Sequence, residues 1–407
     1  MRLNLTSRRW LGAAAACAFV LMALAGCASK RTPISATPQP FDAAIDAVAD
    51  DLFVQTQRLK LPAFVARLES KLVNRGFAMD PIVDAASGNQ TAATEAVEAR
   101  LAARVAARYP SMDILGFNSA GLAKAQYVLT GAITRVGAAD GKSGGESYRI
   151  DLALTDLKSG LIVAQASSHS QAAGVDTTPT AYYRDSPVLV KDAAIDDSVA
   201  TARGQVGQAA NPKYMERIAA STLVAEATAA YNGDRLEEAL ALYTRAAAAP
   251  GGDQIRVHSG IYLANWRLGR LPEAEAAFGR IVASGLANRN LGVKFLFRPS
   301  STEFWTDTKV SGPYDVWLRQ IARQAVVTKV CLVVVGHTSR TGTEQFNDRL
   351  SQRRAEYIRQ RLESESAELG RRIQANGKGF RENLIGTGSD DTRDALDRRV
   401  EFKVEAC

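Results

Sequence analysis

The sequence of 407 residues predicts a multidomain α/β protein. Helical patterns followed by alternating strands predict an N-terminal α+β domain over residues 41–170. A motif repeated within residues 213–290 predicts a short all-α segment. Buried strands that alternate with helices predict a C-terminal βαβαβ domain with a mixed sheet over residues 291–407. The length suits two to four domains.

The first 26 residues have the pattern of a bacterial export signal. Arg2, Arg8 and Arg9 precede an uncharged stretch, 10–25, which consists mainly of alanine and leucine. The stretch is too short to span a bilayer comfortably as a helix, so it predicts a cleaved signal peptide. The paired arginines also resemble a twin-arginine signal, and the sequence leaves the export route open.

The leader ends in Leu24-Ala25-Gly26-Cys27, which resembles the lipobox of bacterial lipoproteins. The resemblance implies that Cys27 carries acyl chains, such as palmitate, which anchor the protein in a lipid bilayer. Ala28 in place of Asp implies the outer membrane. The polar residues 27–40 would then form an extended tether. The alternative is a soluble secreted protein in which Cys27 has no role.

Composition and motifs argue against several classes of function. The formal net charge of +7 falls to +4 without the three arginines of the leader, which is too mild to indicate nucleic acid. His169, His258 and His337 lie far apart in the sequence, so we expect no metal site and no cofactor. The chain contains no G-x-S-x-G, P-loop or H-E-x-x-H motif, and we expect no enzyme.

The N-terminal domain is predicted from three helices and three strands. The helices are Phe41–Gln57, Leu61–Arg75 and Ala92–Ala107, and the strands are Tyr127–Val136, Tyr148–Leu157 and Leu161–Ala166. The pieces A-x-Y-V-L-T-G-x-I-T and Y-x-I-x-L-x-L-T-D-x-x-S-G resemble curli-secretion lipoproteins and activators of penicillin-binding proteins. A generic α+β domain is the alternative. Residues 171–212 are predicted to be a linker or a poorly ordered loop.

An internal repeat marks residues 213–290. The run 234–239 aligns with 269–274, and the same offset of 35 residues pairs Tyr231 with Trp266 and Tyr243 with Phe278. The pattern resembles tetratricopeptide repeats, which implies pairs of closely packed helices. Such a segment is either a groove for a partner or a helical spacer that packs neighbouring domains together. Two repeats are few for a free solenoid, so we expect them to lean on a neighbour.

Three motifs stand in order in the C-terminal domain. G-H-T-x-x-x-G begins at Gly336, N-x-x-L-S-x-x-R-A begins at Asn347, and D-R-R-V-E begins at Asp397. Together they resemble the OmpA-like peptidoglycan-binding domain, over residues 291–407. The predicted elements are the strands Leu291–Phe297, Lys329–Val335 and Leu396–Phe402, with helices at Tyr314–Gln324 and from Phe346 to about Leu362.

The resemblance implies a site for the diaminopimelate of the peptidoglycan stem peptide. Arg354 is the residue implied to bind a carboxylate through two parallel hydrogen bonds. Amides near Thr338 and the start of the next helix would receive anionic oxygen, and Asn347 would order the loop. Arg398 and Arg399 begin the last strand, and the resemblance places one of them near the mouth of the pocket.

One departure from the family concerns the acidic group that pairs with the ligand ammonium. The family usually has Asp where this chain has Ser339, whose hydroxyl brings no charge. We hypothesise that Asp390 or Asp391 supplies the missing charge. Alternatively, these aspartates cap a short helix.

Cys331 and Cys407 form an even pair after the leader and Cys27 are set aside. If Arg399 lies near the same pocket as Thr338, the two strands run antiparallel and bring the cysteines together at their far ends. We therefore predict a disulfide.

Together these features predict an outer-membrane lipoprotein on the periplasmic face that binds peptidoglycan non-covalently and localises envelope components. Its expected partners are the stem peptide, the bilayer and an envelope protein. The alternative is an assembly or regulatory lipoprotein, acting in secretion or wall-synthase activation through its N-terminal domain and repeats.

Overall fold

The structure is a computed structural model. It describes residues 37–57, 75–137, 147–289, 291–298, 300–384, 388, 394, 397–405 and 407. Residues from Thr37 to Cys407 form one compact unit. The signal peptide and Cys27 lie outside the described residues. No helix within the described ranges is long and apolar enough to cross a membrane.

The N-terminal domain is built on a six-stranded mixed sheet with the order β3-β1-β4-β5-β6, and β2 pairs with β4. Strands β1, β2, β3 and β4 pair in parallel, whereas β4, β5 and β6 form an antiparallel meander. Its elements are α1 (Phe41–Gln57), β1 (Arg75–Met79), β2 (Val83–Asp84), α2 (Ala92–Arg108), β3 (Met112–Leu115), α3 (Ser119–Lys124), β4 (Tyr127–Val136), β5 (Ser147–Asp156) and β6 (Ile162–Gln171).

Helices α1 and α2 cover this sheet and bury their apolar faces against it. Phe53 of α1 packs 5.5 Å from the ring of Phe77 on β1, and both side chains are fully buried. The α+β fold is confirmed, with one correction. Arg75, which was predicted to end a helix, begins the parallel strand β1, and residues 61–74 of that predicted helix lie outside the described residues.

Residues 171–212, which were predicted to be a linker or a poorly ordered loop, are ordered. The segment forms two helices, α4 (Ala181–Asp185) and α5 (Ala193–Ala202). Between them Val188 bridges antiparallel to Val293, and Leu189 N donates to Gly292 O at 2.8 Å. The segment therefore lies along the edge of the C-terminal sheet and covers backbone groups that an exposed edge would leave unpaired.

Residues 212–287 form two helical hairpins. Their helices are α6 (Pro212–Asn232), α7 (Leu236–Ala248), α8 (Ile255–Arg267) and α9 (Leu271–Ala287). Tyr231 and Trp266 both lie near the ends of the first helices of their hairpins, as the offset of 35 implies. A Cβ atom on Gly260 would collide with the ring of Tyr243, so glycine permits the close crossing of α7 and α8.

The C-terminal domain is a four-stranded mixed sheet with the order β7-β10-β8-β9. β10 runs antiparallel to β7 and β8, and β9 runs parallel to β8. The elements are β7 (Leu291–Val293), α10 (Thr308–Ser311), α11 (Tyr314–Thr328), β8 (Cys331–Gly336), α12 (Glu344–Glu365), a 3-10 turn (Ala367–Arg371), β9 (Ile373–Gly377) and β10 (Val400–Glu405). The register pairs Cys331 with Glu405, and the sulfur of Cys331 is bonded to that of Cys407.

The helical hairpins and the C-terminal domain share one hydrophobic core. Trp317 of α11 stacks on Phe278 of α9 with ring centroids 5.4 Å apart. Its indole N–H also donates to the hydroxyl of Tyr262 in α8 at 2.8 Å. Two helical hairpins are too few to bury both of their faces against each other, so they pack against α11 and the sheet of the C-terminal domain.

Candidate functional site

A cavity of about 240 Å³ lies at the end of β8, where the G-H-T-x-x-x-G loop leads into α12. Its wall combines this loop, the first turns of α12, the segment that follows β7 and one arginine before β10. The lining residues are Phe297, Ser300, Trp305, Thr338, Ser339, Thr341, Gly342, Phe346, Asn347, Leu350, Arg354 and Arg398.

The turn after β8 is held by close backbone packing. A Cβ atom on Gly336 would collide with the carbonyl oxygen of Ser351, so glycine lets α12 approach the strand end. Thr338 N donates to Gly379 O at 3.0 Å. The hydroxyl of Thr338 is buried, lines the cavity and has no hydrogen-bond partner among the described residues. Such an orphaned hydroxyl is available to a ligand.

The rest of the loop is ordered by Asn347 from the first turns of α12. Its amide nitrogen donates to Thr341 O at 2.7 Å and to Thr343 O at 3.1 Å. Thr343 caps the helix by accepting from Phe346 N at 3.3 Å. Gly342 has a φ of +84°, which favours glycine in this turn. Asn347 thus fixes the loop that carries Thr338 and Ser339.

Arg354 lines the cavity from the third turn of α12 and is 2% exposed. Its Nε donates to Ser301 O at 3.1 Å and its Nη2 donates to Arg298 O at 3.2 Å. The guanidinium also lies 4.9 Å from the ring centroid of Phe297. Arg354 therefore both places a positive charge at the cavity and ties the segment after β7 to α12.

Ser339 occupies the position where an acidic residue was expected from the resemblance. It is buried, lines the cavity and has its hydroxyl 3.4 Å from that of Thr341. Asp390 and Asp391, the hypothesised substitutes, lie outside the described residues. Asp397, which is described, is fully buried and accepts from Leu384 N at 2.7 Å, so it stabilises a neighbouring loop.

Arg398 and Arg399, which directly precede β10, have different surroundings. Arg398 lines the cavity. Arg399 does not line it. It is 3% exposed, and donates from Nε to Glu401 at 2.7 Å and from Nη2 to Glu382 O at 3.1 Å. Of the two arginines, one of which the resemblance places near the mouth of the pocket, Arg398 is therefore the one that lines the cavity.

One group of side chains within the described ranges has the composition of a metal site. His337, Glu382 and Glu401 place their donor atoms within 4.8 Å of one another. Burial lowers the pKa of His337, which favours its neutral form. However, Glu401 already accepts a hydrogen bond from the guanidinium of Arg399. A cation bound here would be repelled by that arginine, so the cluster is better described as an ion-pair network.

Sequence reasoning missed the aromatic part of the wall. Phe297, Trp305 and Phe346 line the cavity, but the sequence places the first two in a segment without a recognised motif. The density of aromatic residues over 295–305 was a usable signal. Aromatic side chains exclude water and so strengthen the electrostatic attraction between Arg354 and an anionic group in the cavity.

Comparisons with known proteins agree on the C-terminal part. Residues 306–396 match the OmpA family. Outer membrane porin F of Pseudomonas aeruginosa is 40% identical over 73 residues, which cover 18% of this chain and 21% of the porin. The C-terminal part of the chain therefore carries an OmpA-family domain, while the match spans about a fifth of the porin.

Two solved structures are also similar. The peptidoglycan-associated lipoprotein from Burkholderia pseudomallei is 26% identical, with 30% of this chain and 92% of that chain covered and a TM-score of 0.23. The cell wall anchor of the T6SS from Pseudomonas aeruginosa is 27% identical, with 29% and 80% covered and a TM-score of 0.24. The family match does not extend to residues 41–290, so the resemblances of the N-terminal domain and of the repeats stay predictions.

Proposed function

We propose that this protein is an outer-membrane lipoprotein that binds peptidoglycan non-covalently and so localises envelope components at the wall. Acyl chains on Cys27 anchor it on the periplasmic face, and the cavity at the end of β8 binds the stem peptide. One observation supports the wall-binding proposal most directly. Arg354 and Thr338, whose hydroxyl has no partner among the described residues, line the same cavity of the OmpA-family domain.

The chemistry of the cavity suits diaminopimelate. This amino acid is a zwitterion with carboxylate and ammonium groups, and Arg354 offers a buried positive charge to a carboxylate. Thr338 offers an additional donor. Arg398 adds a second positive group at the same cavity. A ligand carboxylate would take over part of the hydrogen bonding that Arg354 now directs to the carbonyls of residues 298 and 301.

Sedimentation with purified sacculi tests this proposal. Full-length protein in detergent should sediment with sacculi, and Arg354→Ala should weaken binding at least about tenfold because it removes a buried charged partner. Arg353→Ala, one position earlier and exposed, is the matched control and should bind normally.

A second variant separates binding from folding, because Arg354 also stabilises the loop. Thr338→Val keeps the volume and removes a hydroxyl that has no partner within the described part of the chain. It should therefore leave the unfolding transition unchanged and still weaken sedimentation. Normal sedimentation of both Arg354→Ala and Thr338→Val would contradict the proposed site.

The lipid anchor is tested separately. Cys27→Ser should abolish incorporation of labelled palmitate and release the protein from the membrane fraction. Palmitate labelling that persists in Cys27→Ser would contradict the proposed anchor.

A further inference from the structure

A second and larger cleft, of about 840 Å³, lies between the helical hairpins and the C-terminal domain. We call it the interdomain groove. It is lined by α4, by the ends of α6 and α8, and by α10 and α11. Arg398 lines both this groove and the stem-peptide cavity, so the two recesses meet at a single side chain.

The groove has a wall of aromatic rings. Tyr262 and Trp266 lie with ring centroids 6.1 Å apart and planes at 28°, and Trp317 follows 6.3 Å from Tyr262. The polar atoms of the deeper rings are used within the wall: Trp317 donates to Tyr262, and Tyr314 accepts from Leu296 N at 2.9 Å. These deeper rings are almost completely buried. The accessible ring surface is therefore mainly that of Trp266, which is half-buried at the edge of the groove.

Polar groups of both signs stand around these rings. Lys294 Nζ donates to Tyr183 O at 2.9 Å, and Asp185 accepts from the hydroxyl of Tyr231 at 3.0 Å. Arg267 lies 5.3 Å from the ring centroid of Tyr231 and pairs with Asp234 at 2.7 Å. Among the described residues the lining has four basic side chains and two acidic ones. Arg184 and Arg267 each pair with one of the aspartates, and Lys294 donates to a carbonyl, so most of these charges are engaged within the wall. A ligand with many neutral hydrogen-bonding groups therefore suits the groove.

We propose that the interdomain groove binds the glycan strand of peptidoglycan, as a second subsite beside the stem-peptide cavity. This inference rests on the proposed function. An N-acetylated sugar is neutral, has an apolar face that can lie on an aromatic ring, and carries hydroxyl and amide groups at its edges. Aromatic walls with a few polar groups are the usual composition of such sites.

The covalent structure of peptidoglycan supports this occupant. Two amino acids separate diaminopimelate from the sugar that carries the stem peptide, and they span about 7 Å of extended backbone, plus the added methylenes of a γ-linked glutamate. A stem peptide seated beside Arg354 therefore carries its sugar to the immediate surroundings of the cavity. The shared position of Arg398 makes the groove the adjoining recess.

Calorimetric titration of the full-length protein tests the inference with two probes: the stem tripeptide that contains diaminopimelate, and the same tripeptide attached to its disaccharide. The disaccharide should tighten binding at least about tenfold, because the second contact is intramolecular once the peptide is bound. Trp266→Leu should lose this gain and still bind the tripeptide, whereas Trp266→Phe should retain most of it.

Leu271→Ala, on an exposed position of α9 outside the groove, is the control and should behave as wild type. Equal affinities of the wild-type protein for the two probes would overturn the glycan subsite and leave the stem-peptide site intact, with a protein segment then the better candidate for the groove. Failure of both probes to bind would overturn the proposed function together with this inference. The wild-type comparison decides the question even if Trp266→Leu does not fold.

Discussion

Glu401 accepts a hydrogen bond of 2.7 Å from the Nε of Arg399, two residues before it in the chain. Burial by itself would raise the pKa of Glu401, but His337 and Arg399 outweigh it and lower the pKa to about 2. His337 Nε2 lies 3.5 Å from Glu401 and has no hydrogen-bond partner among the described residues, so we attribute the lowering of the Glu401 pKa mainly to Arg399. This pair secures the start of β10, directly beside Arg398 at the two recesses.

The pair predicts a specific loss of stability in acid. The folded-state pKa of Glu401 lies below its usual 4.5, so its contribution is present above pH 4.5 and is lost as the pH falls towards 2. The shift corresponds to on the order of 3 kcal/mol in the free energy of unfolding. Glu401→Gln should lack this part of the pH dependence in denaturant titrations, whereas Glu405→Gln, exposed on the same strand, should keep it. An unchanged pH dependence in Glu401→Gln would contradict the assignment.

A buried carboxyl between the N-terminal domain and α6 predicts the opposite pH dependence. Asp80 accepts a hydrogen bond from Tyr214 at 2.9 Å, and burial raises its pKa to about 6 against the opposing effects of Arg256 and Tyr214. The folded-state pKa exceeds the usual 3.8, so stability is lost as the pH rises from about 4 to 6 and the group ionises.

Asp80→Asn removes this buried charge and keeps an acceptor for Tyr214. It should raise the free energy of unfolding at pH 7.5 by up to about 3 kcal/mol and change it little at pH 4. Asp113→Asn, on an exposed position of β3, serves as the control. A destabilised Asp80→Asn at pH 7.5 would show that the carboxylate is stabilised by its surroundings.

Ser339 predicts a gain of affinity on substitution. Ser339→Asp would place a carboxylate in the cavity, where the OmpA-family resemblance implies an acidic partner for the ligand ammonium. Binding of the diaminopimelate tripeptide should tighten about tenfold, which is ~1.4 kcal/mol. Ser364→Asp, at the far end of α12, is the control. Ser351→Asp is unsuitable because the hydroxyl of Ser351 donates to Asp348 O within the fold. Weaker binding by Ser339→Asp would indicate that the missing charge is supplied elsewhere, as the hypothesis for Asp390 or Asp391 requires.

The bond between Cys331 and Cys407 predicts a redox-dependent stability. The two cysteines are 76 positions apart in the chain, so the bond constrains a long loop in the unfolded state. Its loss should lower the free energy of unfolding by about 4 kcal/mol on the loop-entropy model. Cys407→Ser and reduced wild type should unfold at the same lower denaturant concentration, while mass spectrometry of periplasmic protein should find no free thiol at either position. Two free thiols would refute the bond.

The sequence predicted those elements whose pattern is local. The alternation of Tyr148, Ile150, Leu152 and Leu154 placed β5 within a residue, and the ordered motifs identified the loop after β8 and α12. The antiparallel direction of β8 and β10 could be predicted because Thr338, after β8, and Arg399, before β10, were expected near the same pocket. The opposite ends of the two strands then bring Cys331 and Cys407 together.

Features that depend on partners distant in the chain could not be predicted. Val188 is extended because it pairs with Val293, about 100 residues later, and nothing in the local pattern of residues 186–190 indicates this. Arg398 and Arg399 are equivalent by composition, and only the folded structure assigns one to the cavity and the other to Glu401. The interdomain groove is formed by six separate parts of the chain, so no local motif could reveal it.

The central claim is that the cavity around Arg354 recognises diaminopimelate. The most direct test is calorimetric titration of the full-length protein with two stem tripeptides that differ only in their third residue, diaminopimelate or lysine. Lysine lacks the additional carboxylate that Arg354 is proposed to bind. Binding of the diaminopimelate tripeptide at least about tenfold tighter than the lysine tripeptide, with the difference lost in Arg354→Ala, is the predicted result. Equal binding of both tripeptides, or a preference that persists in Arg354→Ala, would contradict it.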